Sequence, residues 1–197
     1  MFKRTNLLIV FFLYFITINS SLSLEPDVFV QSTVNRASKI LAEEITKEKK
    51  IEKLKTIALE TVDIKGIGMY TLGPIRKSLS ENEKITYNAL FRKYFLKSFS
   101  DRLAEYTNPE IDVLDKKVLN ENYTIVNSIL KAKGDRPEIK IDWRIYTKDP
   151  GNPLIRDLII EGLSLARTQK EEFSSILSSN NDDINFLFDA LKKFSEN

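Results

Sequence analysis

The chain has 197 residues, 42% of them hydrophobic, with 30 basic and 28 acidic side chains. This is enough apolar material for one good core, and a nearly neutral charge lacks the broad positive field that nucleic-acid binding needs. The chain has no Cys and no His. Their absence excludes Cys nucleophiles, Ser-His-Asp triads and nearly all zinc sites, so we expect no cofactor and no metal centre.

The first 23 residues are typical of a secretory signal peptide. Lys3 and Arg4 form a basic start, and the apolar run 7–18 is too short to span a bilayer comfortably. We therefore expect residues 1–23 to be cleaved and residues 24–197 to form a single exported domain, with an uncleaved membrane anchor as the alternative. Removing two basic residues would leave 28 basic and 28 acidic side chains.

Helical periodicity follows the signal segment. Apolar side chains recur every three to four residues over 30–45 and 51–58, which predicts two helices. A short apolar segment over 64–72 then ends at Gly73 and Pro74, a pair typical of a helix stop.

A longer helix is predicted next. Ser80 and Glu83 have the spacing of a capping box at its start. The helix carries one stripe of large side chains: Tyr87, Phe91, Tyr94, Phe95, Phe99, Leu103 and Tyr106. Such a stripe is how helices ordinarily pack in a core, and it could also wall an apolar ligand cavity.

The period then changes to two. Alternation predicts strands that begin at 111–113 and continue over 123–130, 139–146 and 154–161, and two further helical stripes close the chain. Helices, then strands, then helices predict an α+β fold: a curved antiparallel sheet of about four to five strands with helices packed on one face.

Three motifs suggest chemistry and are better explained as structure. Gly66 and Gly68 lack the further glycine and the Lys-Ser/Thr pair of a phosphate loop. Asp142 and Asp157 could form a carboxylate pair, but Asp142 lies on a charged strand face. Ser164 has no His partner, and its surroundings lack the Gly-x-Ser-x-Gly pattern of a nucleophile elbow. We therefore predict no catalytic residue.

Four segments, 63–80, 91–106, 141–144 and 157–173, carry a resemblance to a known family. The most specific part is 157–165, which reads strand, Glu-Gly, apolar residue, Ser, apolar residue. In these segments the chain resembles the MlaC-like family of periplasmic phospholipid-binding proteins, also called toluene-tolerance auxiliary transport proteins. The resemblance covers nearly all of the expected exported domain.

The resemblance implies a monomeric, non-enzymatic carrier in the periplasm that holds a glycerophospholipid in an apolar cavity between sheet and helices. It would shuttle lipid between an inner-membrane ABC transporter with a lipid-binding ring subunit and an outer-membrane lipoprotein, and so maintain the lipid asymmetry of the outer membrane. The expected lining residues are Met69, Leu72, Phe91, Phe95, Phe99, Leu103, Ile129, Ile141, Trp143, Ile160 and Leu163. The expected partner or headgroup contacts, equally plausible as solvated charges, are Arg76, Lys77 and Arg144.

Two other classes stay open from the sequence. A periplasmic solute-binding or protein-interaction module would have the same apolar faces packed tightly, without a lipid cavity. A lipid hydrolase would need Ser164 or an acid pair to act without His. A cavity between the strand of Trp143 and the helix of Phe99 would distinguish the carrier from both.

Overall fold

The computed structural model describes residues 24–134 and 137–196, so the expected signal peptide lies outside the described residues. The described residues form six α-helices, one short 3-10 helix and a five-stranded antiparallel sheet in the order β1-β2-β3-β4-β5. The elements are α1 (Pro26–Ala42), α2 (Lys47–Thr61), α3 (Ile64–Thr71), the 3-10 helix (Gly73–Lys77), α4 (Glu81–Ala104), β1 (Ile111–Asn120), β2 (Tyr123–Leu130), β3 (Ile139–Tyr146), β4 (Leu154–Ile160), β5 (Leu163–Ser164), α5 (Leu165–Ser178) and α6 (Ile184–Glu196). The predicted α+β fold is confirmed. Over 24–134 and 137–196, none of the helices has the length and apolar character needed to cross a bilayer.

Side chains and one glycine set the helix ends. The predicted capping box is present, because Ser80 Oγ accepts the Glu83 N–H at 3.3 Å and the Glu83 carboxylate accepts the Ser80 N–H at 2.7 Å. At α2 only the first half of this pattern is present, because the Thr46 hydroxyl accepts the Lys49 N–H. Gly73 has a φ of +60°, so the chain can leave α3 at a position where a side chain would be strained.

Burial alternates along the sheet as a period of two requires. The inner face, which the helices cover, carries the buried residues of β2 and β3: Thr124, Val126, Ser128, Leu130, Ile141, Trp143 and Ile145. The outer face carries the residues between them. In the register Val126 lies opposite Trp143, and Ser128 lies opposite Ile141.

An arginine ties the sheet to the junction between α2 and α3. Arg156 Nε and Nη2 donate to one Asp63 carboxylate oxygen at 2.7 and 2.6 Å, and Nη1 donates to the Tyr123 hydroxyl at 2.6 Å. The guanidinium also lies 3.7 Å from the centroid of the Tyr146 ring. Because Asp63 caps α3, this contact fixes the start of α3 against the sheet.

A buried carboxylate fixes the turn into α5. Asp157 on β4 is 4% exposed and accepts hydrogen bonds from Ser164 Oγ at 2.6 Å and from the Ala166 N–H at 3.0 Å. Ser164 Oγ in turn accepts the Arg167 N–H at 3.1 Å and caps α5. The Asp and Ser of the 157–165 segment therefore form one hydrogen-bonded unit.

The hairpin between β4 and β5 is made by two residues in the left-handed region. Glu161 has a φ of +49° and Gly162 a φ of +83°. Turns of this kind match the twist of the flanking strands. The Glu161 carboxylate accepts the backbone N–H of Lys140, which holds this non-glycine residue against β3.

We expect Asp157→Asn to lower the free energy of unfolding by about 2 kcal/mol. The carboxylate accepts from both the Ser164 hydroxyl and the Ala166 N–H, whereas the Asn side chain would place its own NH₂ group against one of these donors. Urea denaturation should show a lower midpoint with an unchanged m-value. The matched control is Asp189→Asn on the exposed side of α6, which should change little. Equal effects of the two substitutions would contradict the structural role of Asp157.

Candidate functional site

The aromatic stripe of α4 changes from buried to half-buried along the helix. Tyr87 and Phe91, in the first half, are almost completely buried. Phe95 and Phe99, one and two turns further on, are only half-buried, and their rings stack with centroids 5.5 Å apart and planes 11° from parallel. The second half of α4 therefore presents an aromatic surface that the described chain does not fully cover.

The inner face of the sheet shows a similar change. Ile141 and Trp143 are buried, whereas Ile160 and Leu158, which lie opposite them on β4, are half-buried. Ile139, at the start of β3, is also half-buried, and Ile139 and Leu158 pack against the same buried cluster as the half-buried rings of α4. Helix and sheet thus both carry partly uncovered apolar surface at the margin of one core.

Polar atoms inside this cluster are paired with each other. Trp143 Nε1 donates to Ser128 Oγ at 2.8 Å, and Ser128 Oγ donates to the Ile141 carbonyl at 3.0 Å. The Tyr87 hydroxyl and Thr71 Oγ1 are 2.8 Å apart, and burial raises the pKa of the Tyr87 phenol. Since these groups satisfy one another, a molecule in contact with the cluster would meet mainly hydrocarbon.

A close helix contact positions the stripe. Gly66 and Gly68 lie within α3, and a Cβ added to Gly68 would lie 2.7 Å from Cδ1 of the buried Phe91. Gly68 therefore lets α4 approach α3, as expected for close-packed backbone and not for a phosphate loop. On its other side the Phe91 ring meets the edge of Phe173 from α5, with centroids 6.2 Å apart.

The structure gathers seven of the expected lining residues. Leu72, Phe91, Ile141 and Trp143 belong to the buried cluster, and Met69, Phe95 and Phe99 pack against it. Their role in lining a cavity stays a prediction.

Four expected lining residues lie elsewhere or at the margin. Leu103 and Ile160 are half-buried, Ile160 directly opposite Ile141 on the inner face. Ile129 alternates with the buried Ser128 and Leu130 and so lies on the outer face. Leu163 is 59% exposed, next to the β4–β5 turn.

The expected lining residues leave out several half-buried residues that pack against the cluster: Leu96, Tyr106, Ile111, Val113, Ile139 and Leu158. Tyr106 belongs to the predicted aromatic stripe, and Ile139 continues the alternation of Ile141, Trp143 and Ile145, so both could have been included. Leu158 could not be found in this way, because its place opposite Trp143 depends on the register between strands.

The three expected cationic contacts do not form one group. Arg76 Nη1 donates to the Met69 carbonyl oxygen at 3.5 Å. Lys77 is the last residue of the 3-10 helix and is exposed. Arg144 lies on the outer face, where its Nη1 is 3.6 Å from the Asp157 carboxylate. Arg76 is the better candidate for a headgroup or partner contact, because it lies beside the expected lining residue Met69, whereas Arg144 lies on the outer face of the sheet. All three assignments stay predictions.

A separate open groove of about 700 Å³ lies where the 3-10 helix meets the end of α5 and the start of α6. Its floor includes Leu72, Ile75 and Leu177, and its rim includes Glu83 and Asp183. Of the expected lining residues only Leu72 borders it.

The described residues form an α+β fold: an open antiparallel meander whose inner face is covered by helices, with half-buried aromatic side chains at the margin of its core. A family model described as "MlaC protein" matches residues 31–193, and the chain belongs to that family. The solved structure of a phospholipid-binding protein from Ralstonia solanacearum, in complex with a phospholipid, has the same fold. Its TM-score is 0.74 at 15% identity, and the match covers 88% of this chain and 98% of that chain.

We expect Gly68→Ala to destabilise the protein by about 1–3 kcal/mol, because the new methyl group would overlap the buried Phe91 ring. The sign is informative, since Gly to Ala inside a helix otherwise stabilises by up to about 1 kcal/mol. Thermal or urea denaturation measures the difference. Gly151→Ala is the control, because its Cβ would lie at an ordinary 3.5 Å from its nearest neighbour. A stabilised Gly68→Ala variant would contradict the close contact.

Proposed function

We propose that this protein is a non-enzymatic phospholipid carrier of the periplasm. The observation that carries the proposal is the change along α4 from buried to half-buried aromatic rings, matched by half-buried apolar residues on the inner face of the sheet. Membership of the MlaC protein family supports it, and so does the shared fold with a protein whose structure contains a phospholipid.

The energetics of such a ligand suit these surfaces. Each buried CH₂ group contributes about 0.8 kcal/mol relative to water. In a bilayer the acyl chains are already dry, so their transfer into an apolar cleft is close to neutral in free energy. The carrier therefore needs dry walls and little headgroup chemistry, and its partners set the direction of transfer.

The proposed path joins an inner-membrane ABC transporter with a lipid-binding ring subunit to an outer-membrane lipoprotein. Export would depend on residues 1–23. We assign the headgroup contact to Arg76, whose guanidinium donates to the Met69 carbonyl oxygen and is otherwise exposed. A guanidinium binds phosphate oxygens through two parallel hydrogen bonds.

An enzymatic role for Ser164 has less support. Its Oγ donates to the buried Asp157 and accepts the Arg167 N–H, so the hydrogen bond that it donates and the one that it accepts both stabilise the start of α5. A carboxylate that is fixed by a backbone N–H and a serine is typical of a helix cap.

The main test is the lipid content of the purified protein. We expect denaturing extraction and mass spectrometry to recover stoichiometric phospholipid from the wild type. Phe99→Asp should lower the bound lipid by at least about tenfold, because acyl chains would desolvate the new carboxylate. The control, Ile85→Asp, introduces the same carboxylate on the same helix in place of a side chain that is 66% exposed, and it should keep the lipid.

Circular dichroism must show that both variants are folded. A folded wild type that carries no phospholipid would overturn the proposal. Equal lipid loss in Phe99→Asp and Ile85→Asp would contradict the assignment of the lipid contact to the half-buried side of α4.

The single tryptophan gives an independent test of position. Trp143 lies on the inner face beside the half-buried Leu158, so phospholipid with brominated acyl chains should quench its fluorescence. Quenching should be lost in Phe99→Asp and kept in Ile85→Asp. Lipid binding without quenching would place the ligand elsewhere, for example in the groove beside Ile75.

A further inference from the structure

The open groove between the 3-10 helix, the end of α5 and the start of α6 is separate from the proposed lipid contact on α4. Its volume of about 700 Å³ lies within the range of ligand-binding clefts, about 300–1,000 Å³. Of the expected lipid-lining residues only Leu72 borders it. The groove is therefore a second surface with a chemistry of its own.

The floor of the groove is apolar. The 3-10 helix contributes the exposed Pro74 and the half-buried Ile75, α5 contributes Leu177, and α6 contributes Ile184. The rim adds three exposed serines: Ser78, Ser174 and Ser178. An apolar centre with a polar rim is the ordinary composition of a surface that binds another protein.

The charged residues of the groove are all acidic. Glu83, Asp182 and Asp183 border it, and no Lys or Arg of the described chain does. None of the three carboxylates forms a salt bridge within residues 24–134 and 137–196. The Glu83 carboxylate accepts the Ser80 N–H, and the Asp183 carboxylate accepts the Asn185 N–H at 2.9 Å.

The helix ends beside the groove offset only part of this charge. Both α4 and α6 begin at the groove, and each helix N-terminus acts as about half a positive charge. Two such ends offset about one of the three carboxylates, so an excess of about two negative charges is left. Glu83 and Asp183 also repel each other: hydrogen bonds from Ser80 lower the pKa of Glu83, whereas the charge of Asp183 acts to raise it.

The acidic rim is held in place by the turn between α5 and α6. Asn181 and Asp182 have φ values of +54° and +58°, in the left-handed region that Asn and Asp adopt more readily than most residues. The Asp182 N–H donates to the Leu177 carbonyl at 2.9 Å, and the Asp183 N–H donates to the Asn180 carbonyl at 3.0 Å. A rim that is already ordered lowers the entropic cost of binding.

This charge selects among possible occupants. A phosphate headgroup or a nucleic acid would be repelled by the carboxylates. A metal ion is not suited either, because the described residues contain no group of three or more acidic side chains placed to hold one. A segment with basic side chains beside an apolar one satisfies both parts of the groove, because its cations pair with the rim while its apolar side chain covers the floor.

We propose that this groove binds a short segment of a partner protein in which basic residues flank an apolar residue. The proposal goes beyond lipid carriage and does not rest on it, because the groove and the half-buried side of α4 have different residues. Charge complementarity identifies the partner segment as basic, and the floor around Ile75 identifies its centre as apolar.

Selection of peptides from a random displayed library on the purified full chain tests the proposal. At low ionic strength we expect enrichment of peptides that carry Lys or Arg next to an apolar residue. A triple amide variant removes the charge with little change of shape: Glu83→Gln, Asp182→Asn and Asp183→Asn. Gln preserves the capping box, and Asn suits both a helix cap and a left-handed residue.

Fluorescence anisotropy of the selected peptides gives the affinities. The triple amide variant should raise the dissociation constant at least about tenfold, and added salt should raise it for the wild type, because the rim contacts are charge pairs. The control variant makes the same changes at exposed carboxylates that do not border the groove: Glu44→Gln, Asp115→Asn and Asp189→Asn. It should leave the dissociation constant unchanged.

NMR titration with a selected peptide locates the contact. The backbone amide signals of Ile75 and Asp183 should shift, and that of Phe99 should not. Selection of no peptide, or of peptides without basic residues, would overturn the proposal. So would equal weakening of binding in the two triple variants, once circular dichroism shows that both are folded, or shifts at Phe99 in place of those at Ile75.

Discussion

The buried carboxylate of Asp157 connects three elements that are otherwise separate. It lies on β4, accepts a hydrogen bond from the hydroxyl of Ser164, the residue that ends β5, and accepts one from the Ala166 N–H in the first turn of α5. The direction of α5 follows from these bonds, and with it the place of Phe173 at the edge of the Phe91 ring. The aromatic packing of α4 therefore depends on a polar contact at the far edge of the sheet. A segment that first suggests catalysis is, in structural terms, the joint between sheet and helices.

Stability and ligand contact divide along one helix. The first half of α4 is held from two sides, by the glycine surface of α3 and by Phe173, and its aromatic rings are buried. The second half continues the same stripe with Phe95 and Phe99, which the chain leaves half-buried. An apolar surface that the core does not need is the ordinary sign of a binding site. The proposed ligand contact therefore uses the half of the helix whose aromatic rings are half-buried.

Local patterns predicted most of the architecture, because capping boxes, glycine stops and alternation act over a few residues. The capping box at Ser80 and the inner face of β3 are examples. The cluster was harder to predict, since its margin depends on which strands lie side by side. Ile129 was expected to line the cavity because β2 carries apolar residues on both faces. Only the burial of Ser128 and Leu130 in the folded protein identifies their face as the inner face and places Ile129 on the outer one. Leu158 was missed because only the register places it beside Trp143.

The contact between Tyr94 and Phe194 has a consequence for how the chain folds. These rings lie 4.8 Å apart, yet one belongs to α4 and the other to the last helix of the chain. The strands between them form a meander in which each pairs with its neighbour, so the sheet can assemble early from local hairpins. The outer side of α4 is covered only when α6 has been made. Until then the nascent chain carries an aromatic surface in water, the kind of transient exposure that chaperones recognise during synthesis.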